Sequence, residues 1–100
     1  MGKAEEYSEK QLQIANFAKA MSHPARVLIL EKLSKMNSCC YSGDLVDELP
    51  ISRSALSLHL KELKLSGLIQ GTTELPYIKY CINRENWQTA KLLFKELFLE

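Results

Sequence analysis

The chain lacks any apolar run near the roughly 18 residues that a membrane span requires, and its opening MGKAEEYSEKQ has no hydrophobic stretch of the secretory type. No membrane partner is therefore expected, and the expected location is cytoplasmic. Cysteine is scarce. Cys39, Cys40 and Cys81 are an odd set that cannot all pair within one chain, and a reducing cytosol disfavours disulfides, so the fold is expected to stand without them. No Cys-x-x-Cys occurs, and the four glycines form no phosphate-cradling loop, which argues against a thiol reductase or a nucleotide-dependent enzyme. Charge of one sign is lacking too: the formal net charge is +1. With 100 residues, 46% of them hydrophobic, the chain can fill one modest core but not two, so residues 1–100 are read as a single domain.

What is present is helical periodicity in the first two thirds. Ile14, Phe17, Ala18 and Met21 recur at the spacing of one helix face, in a segment ending near Ser22 and His23. Pro24 suits the first turn of a second helix after a Ser22 or His23 cap, marked by Val27, Leu28, Leu30 and Leu33 and ending near Lys35. NSCCYSGD breaks the pattern. Ser42 can then cap a short third helix with Leu45, Val46 and Leu49 as its apolar positions, and Pro50 helps to end it. Ser52 caps a fourth helix that reaches Ser66, where Gly67 suits a left-handed stop.

Beyond Gly67 the period becomes alternating. Leu68–Thr72 and Tyr77–Ile82, joined by a tip at Thr73–Pro76, predict a β-hairpin in which Ile78, Tyr80 and Ile82 share one face. A fifth helix follows from about Arg84, carrying Trp87, Ala90, Leu93, Phe94, Leu97 and Phe98. The order α-α-α-α-β-β-α, with the tight LPIS turn before the fourth helix and a hairpin directly after it, predicts a mainly helical winged helix-turn-helix.

The fourth helix would be the reader of DNA. At about 100° per residue, Leu56, Leu60 and Leu63 fall on one side, and Ser54, Ser57, Leu58 and Lys61 on the other. Hydroxyls can bond base edges or phosphates, Arg53 and Lys61 can neutralise phosphates, and Leu58 can meet a thymine methyl. Residues 51–80 also hold the local basic excess: Arg53, Lys61, Lys64 and Lys79 against Glu62 and Glu74. A merely solvated helix would look similar in isolation; the flanking turn and hairpin favour DNA. A winged helix can also use this face to bind another protein, and the small basic excess keeps that alternative open. His59 lies beside the leucine sector, which suits a partly buried, hydrogen-bonded supporting role.

AMSHPARVLILEKL, GDLVDELPISRSALSLHLKELKLSGLI and GTTELPYIKYCIN together resemble the ArsR/SmtB family of bacterial winged-helix repressors over nearly the whole chain. SALSLHLKELKLSGLI is the most specific part. The resemblance implies a homodimer that binds an inverted-repeat operator in double-stranded DNA and changes its affinity when an effector binds. It also implies that Arg53, Ser54, Ser57, Leu58 and Lys61 lie on the recognition surface. Ala55 and Leu58 stand where a polar reader is common in such proteins, a departure that points to an unusual operator.

The last helix supports a dimer independently. LLFKELFL spreads apolar side chains round more than half the helix, more than so small a domain can hide against itself. Ile14, Phe17, Trp87, Phe94 and Phe98 are the expected interface residues. Two-fold symmetry would set the recognition helices roughly 34 Å apart, one turn of DNA.

The resemblance also suggests metal sensing, through either of two arrangements, and neither fits fully. RENWQTAKLLFKELFLE holds no His or Asp, which excludes the zinc site that related sensors build on this helix. Soft-metal sensors carry Cys-x-Cys near the third helix, whereas Cys39 and Cys40 are adjacent and would point to opposite faces of an extended segment. Three readings stay open for Cys39, Cys40 and Cys81: a three-thiol site for arsenite or a thiophilic metal, a redox-sensing thiol, and small core residues.

Overall fold

A computed structural model describes residues 6–36 and 39–99. In chain order the elements are α1 (Glu9–Ala20), α2 (Pro24–Ser34), β1 (Cys40–Tyr41), α3 (Ser42–Glu48), α4 (Arg53–Ser66), β2 (Ile69–Glu74), β3 (Tyr77–Ile82) and α5 (Arg84–Phe98). Asn37, Ser38 and the side chain of Val46, expected in the loop and in the third helix, lie outside the described residues. The expected hairpin is therefore part of a three-stranded antiparallel sheet in the order β1-β3-β2. β1 was not foreseen: Cys40 and Tyr41 sit among turn formers, and only pairing with Tyr80 and Lys79 makes them a strand.

Short-range chemistry sets most helix ends. Ser8 caps α1 and forms a reciprocal capping box with Gln11, each side chain accepting the other residue's backbone N–H. Pro24 opens α2, where its missing N–H costs no intrahelical bond. Ser52 Oγ accepts the Ala55 N–H at 3.2 Å, and Asn83 Oδ1 accepts the Asn86 N–H at 3.1 Å. α3 differs from expectation. Ser42 is its first helical residue, and Tyr41 occupies the cap position with no side-chain bond. Strand β2 runs through Glu74, so the turn narrows to Leu75–Pro76.

All helices and the base of the sheet meet in one core. Ile29, Leu45, Leu56, Leu60, Leu63, Leu68 and Ile69 are fully buried at its centre, with Phe17, Ala20, Ala90 and Leu93 closing it from α1 and α5. Each such aliphatic side chain contributes about 1.5–3 kcal/mol relative to exposure. Val27, expected on the inner face of α2, is exposed, and Ile29 takes that place. In VLIL every position is apolar, so the pattern leaves the phase of the helix undefined.

The end of α4 is the tightest joint. Gly67 has φ 89°, in the left-handed region that non-glycine residues avoid. Its carbonyl accepts from Asn86 Nδ2 at 2.8 Å, and the Ser66 carbonyl accepts from Asn16 Nδ2 at 3.0 Å, so α1 and α5 both hold the end of α4. A β-carbon at Gly67 would lie 2.9 Å from Asn86 Nδ2. Gly67→Ala should therefore lower stability by about 1–3 kcal/mol in urea unfolding; an unchanged midpoint would mean that the joint is not strained.

Candidate nucleic-acid interface

α4 divides cleanly between an inner and an outer face. Leu56, His59, Leu60 and Leu63 are buried, whereas Arg53, Ser54, Ser57, Leu58 and Lys61 are all exposed, so the chain itself covers none of the five expected contact residues. Leu58 retains 56% of its accessible surface. An exposed leucine beside Ser54 and Ser57 supplies an apolar contact next to hydroxyl groups and two cations. The N-terminal turn of α4 is held by the Ser52 cap, whose hydroxyl also lies 3.3 Å from Ser54 Oγ.

The inner face is fixed by a polar cluster that periodicity did not reveal. His59 is buried in the leucine seam, and Arg26 Nε donates to its Nδ1 at 3.1 Å. His23 packs against it with ring centroids 4.5 Å apart, while His23 Nδ1 accepts the Ala25 N–H at 3.0 Å and so caps α2. Burial, then His23 and then Arg26, lower the His59 pKa below its ordinary value of 6.5. The cap expected at Ser22 or His23 is His23, but neither its approach to His59 nor the part of Arg26 is legible in the local pattern. Their one available signal was a spacing of three, which puts both on one side of the first turn.

The wing contributes little free positive charge. Lys79 Nζ pairs with Glu74 at 3.1 Å and lies 5.2 Å from the centroid of the Tyr41 ring. Glu74, by hydrogen bond and charge, raises the Lys79 pKa above the usual lysine range. Tyr41 meets Tyr77 edge to face at 5.6 Å. The tip residues Leu75 and Pro76 are uncharged and exposed. Among the expected contact residues, only Arg53 and Lys61 of α4 present cations.

The three cysteines separate by strand alternation. Cys40 pairs with Tyr80 in the sheet and turns inward, where it is buried. Cys39 and Cys81 fall directly opposite one another in the same register, with α-carbons 4.5 Å apart, and form a disulfide. The expectation of a fold without disulfides is thus corrected: strand pairing brings two cysteines 42 residues apart into bonding geometry. Three sulfurs do not converge. Burial, reinforced by Asp44 and Glu48, raises the Cys40 thiol pKa, which keeps it protonated and a poor ligand. The residues do not fit a three-thiol centre for arsenite or a thiophilic metal, and among the described residues no group of three or more His, Cys, Asp or Glu could hold a metal ion.

The expected interface residues also divide. Phe17 is a correction: it is 5% exposed, packed into its own protomer's core, and is not available to a partner. Ile14, Trp87 and Phe94 are half-buried against the core, and Phe98 is 76% exposed. Met21, Trp87, Phe94 and Phe98 line an apolar groove of about 510 Å3 bordered by Lys91 and Lys95. Among the described residues no helix is long and apolar enough to cross a membrane.

Comparison with known proteins places this geometry. Residues 23–70 match the family described as bacterial regulatory protein, arsR family. The HTH-type transcriptional regulator YgaV of Escherichia coli is 40% identical over 73 residues, 73% of each chain. The HTH-type transcriptional regulator CmtR of Mycobacterium tuberculosis is 32% identical over 73 residues, which span 60% of its length. Among solved structures, HlyU from Vibrio cholerae superposes with a TM-score of 0.72 at 27% identity, covering 94% of this chain and 100% of that one. An ArsR-like regulator from Rhodococcus has the same fold, with a TM-score of 0.76 at 22% identity over 92% of this chain and 85% of its own. With its winged-helix fold, its exposed α4 face and these relatives, the chain belongs to the ArsR family of bacterial regulatory proteins and is a DNA-binding transcriptional regulator, not an enzyme.

Proposed function

We propose that the protein is a cytoplasmic homodimeric repressor that seats α4 of each subunit in successive major grooves of an inverted-repeat operator. Arg53 and Lys61 contact phosphates, and Ser54, Ser57 and Leu58 meet base edges. The observation that carries this reading is the wholly exposed outer face of a helix whose inner face is locked into the core. In this reading the single domain carries dimerisation helices at both ends. The dimer rests on the apolar surface left on α1 and α5: Leu12, Leu92, Leu97 and Phe98 remain exposed, and Phe98 also lines the groove beside Trp87 and Phe94. A soluble monomer would leave that patch wet.

Light scattering should give twice the chain mass, and Phe98→Asp should return the monomer mass with loss of DNA affinity. A monomeric wild type would remove the two-fold model. In fluorescence anisotropy, affinity for duplex DNA should fall steeply with salt, and Lys61→Ala should reduce the slope of log affinity against log salt by about 2 for a dimer. Unchanged affinity in both Lys61→Ala and Arg53→Ala would favour the alternative, a protein partner on the same face.

The effector reading that the geometry favours is thiol redox state. Cys39 and Cys81 face each other across the sheet, and their bond ties the wing strand β3 to the segment that leads into α3, one of the elements packed against α4. In that step the two thiols give up two protons and two electrons to a hydroperoxide, whose O–O bond breaks to yield an alcohol and water. Operator affinity should differ by about fivefold or more between peroxide-treated and reduced protein, a modest allosteric coupling. The difference should vanish in Cys39→Ser and in Cys81→Ser and persist in Cys40→Ser. Equal affinities in the wild type would end the redox reading.

A further inference from the structure

We propose that His59, His23 and Arg26 form an acid-sensitive latch that seats the recognition helix on α2, so that the protein releases DNA as the pH falls below neutrality. This inference rests on the reading that α4 contacts DNA. The hydrogen bonds assign the protonation states without ambiguity. The Arg26 Nε–H and the Ala25 N–H can only donate, so His59 Nδ1 and His23 Nδ1 must both accept. The His59 ring in the latched state is therefore neutral, with its one proton on Nε2.

Acid removes the His59 acceptor. A proton on His59 Nδ1 turns the Arg26 contact from a hydrogen bond at 3.1 Å into two opposed donors on two cations. The His23 ring lies 4.5 Å from that of His59, tilted by 45°, and with Arg26 opposes a positive charge there.

α4 packs against α1, α2, α3 and β2. The groups that act on His59 are His23 and Arg26, both from α2 and both opposing protonation; no carboxylate from any of these elements offsets them. Because burial and these two neighbours lower the folded-state pKa, the latched state is fully favoured above the ordinary 6.5. The advantage is lost as the pH falls from there through the lower folded value, since the released helix takes up the proton first.

The direction is distinctive. Protonating exposed histidines would strengthen binding to a polyanion, whereas this latch weakens it. Duplex affinity should be measured by anisotropy at about pH 7.5 and about pH 5.5, the range in which histidine switches, with the ratio read within each variant. Wild type should lose affinity on the order of tenfold, an ordinary size for a coupled equilibrium. His59→Asn keeps an acceptor near the Nδ1 position without a titrating group, and its ratio should stay within about twofold, close to pH-independent. A flat wild-type profile, an equal fall in His59→Asn, or global loss of helicity in the wild type at the lower pH would overturn the latch.

Nuclear magnetic resonance separates this result from failure of the DNA reading. The His59 ring resonances should titrate below 6.5, with α4 amides shifting on the same curve, and Arg26→Gln should move the midpoint upward. A midpoint at or above 6.5 in wild type would overturn the latch even if DNA binds. Absence of DNA binding at the higher pH, with the low midpoint retained, would overturn the interface reading alone.

Discussion

The structure depends on the burial of one side of α4. Leu56, Leu60 and Leu63 enter the centre of the core, where they meet α2, α3 and the base of the sheet. A helix anchored on that seam has no freedom to turn, so its opposite side is committed to solvent or to a partner. The exposure of Arg53, Ser54, Ser57, Leu58 and Lys61 follows from the burial of the leucines and not from any property of those five residues. Stability and the exposure of the proposed DNA-contact residues are thus two consequences of one periodicity.

The C-terminal end and the inner side of α4 are tied to different parts of the chain, and these ties connect the proposed DNA-contact surface to the rest of the molecule. Asn16 of α1 and Asn86 of α5 hold its C-terminal carbonyls, so the two helices proposed to form the dimer also set where α4 stops. Arg84 at the start of α5 donates to the Ser34 and Met36 carbonyls and anchors the end of α2 in the same way. Along its inner side, His59 is joined to α2 through Arg26 and His23. A shift in any of these contacts reaches the reading surface through rigid elements and short polar links, without a long path through the core.

Cysteine placement shows the limit of spacing arguments. Adjacent residues in an extended segment face opposite ways, so Cys39 and Cys40 were never a natural pair. That reasoning held in the structure, where Cys40 points into the core and Cys39 points out. The partner of Cys39 is 42 positions away, and it was chosen by a strand register that only two residues of β1 define. The same register that joins Cys39 to Cys81 separates both from Cys40, so one fact of pairing favours a dithiol and removes a three-thiol centre.

Local chemistry by itself determined the order of the five helices and the hairpin, the Ser52 cap, the left-handed stop at Gly67 and the inner and outer faces of α4, because each depends on residues within a turn or two of one another. It also indicated a supporting role for His59 from its angular position alone. It did not determine the phase of α2, where VLIL is apolar at every position, or the existence of β1, whose strand character comes from β3. Nor did it assign Phe17 to its own core: a helix face marked as apolar does not say whether another part of the chain or another subunit will cover it. The Cys39–Cys81 pair and the cluster of His23, Arg26 and His59 were decided by the tertiary structure alone, because they join residues more than thirty positions apart and no sequence period records which distant surfaces come to lie together.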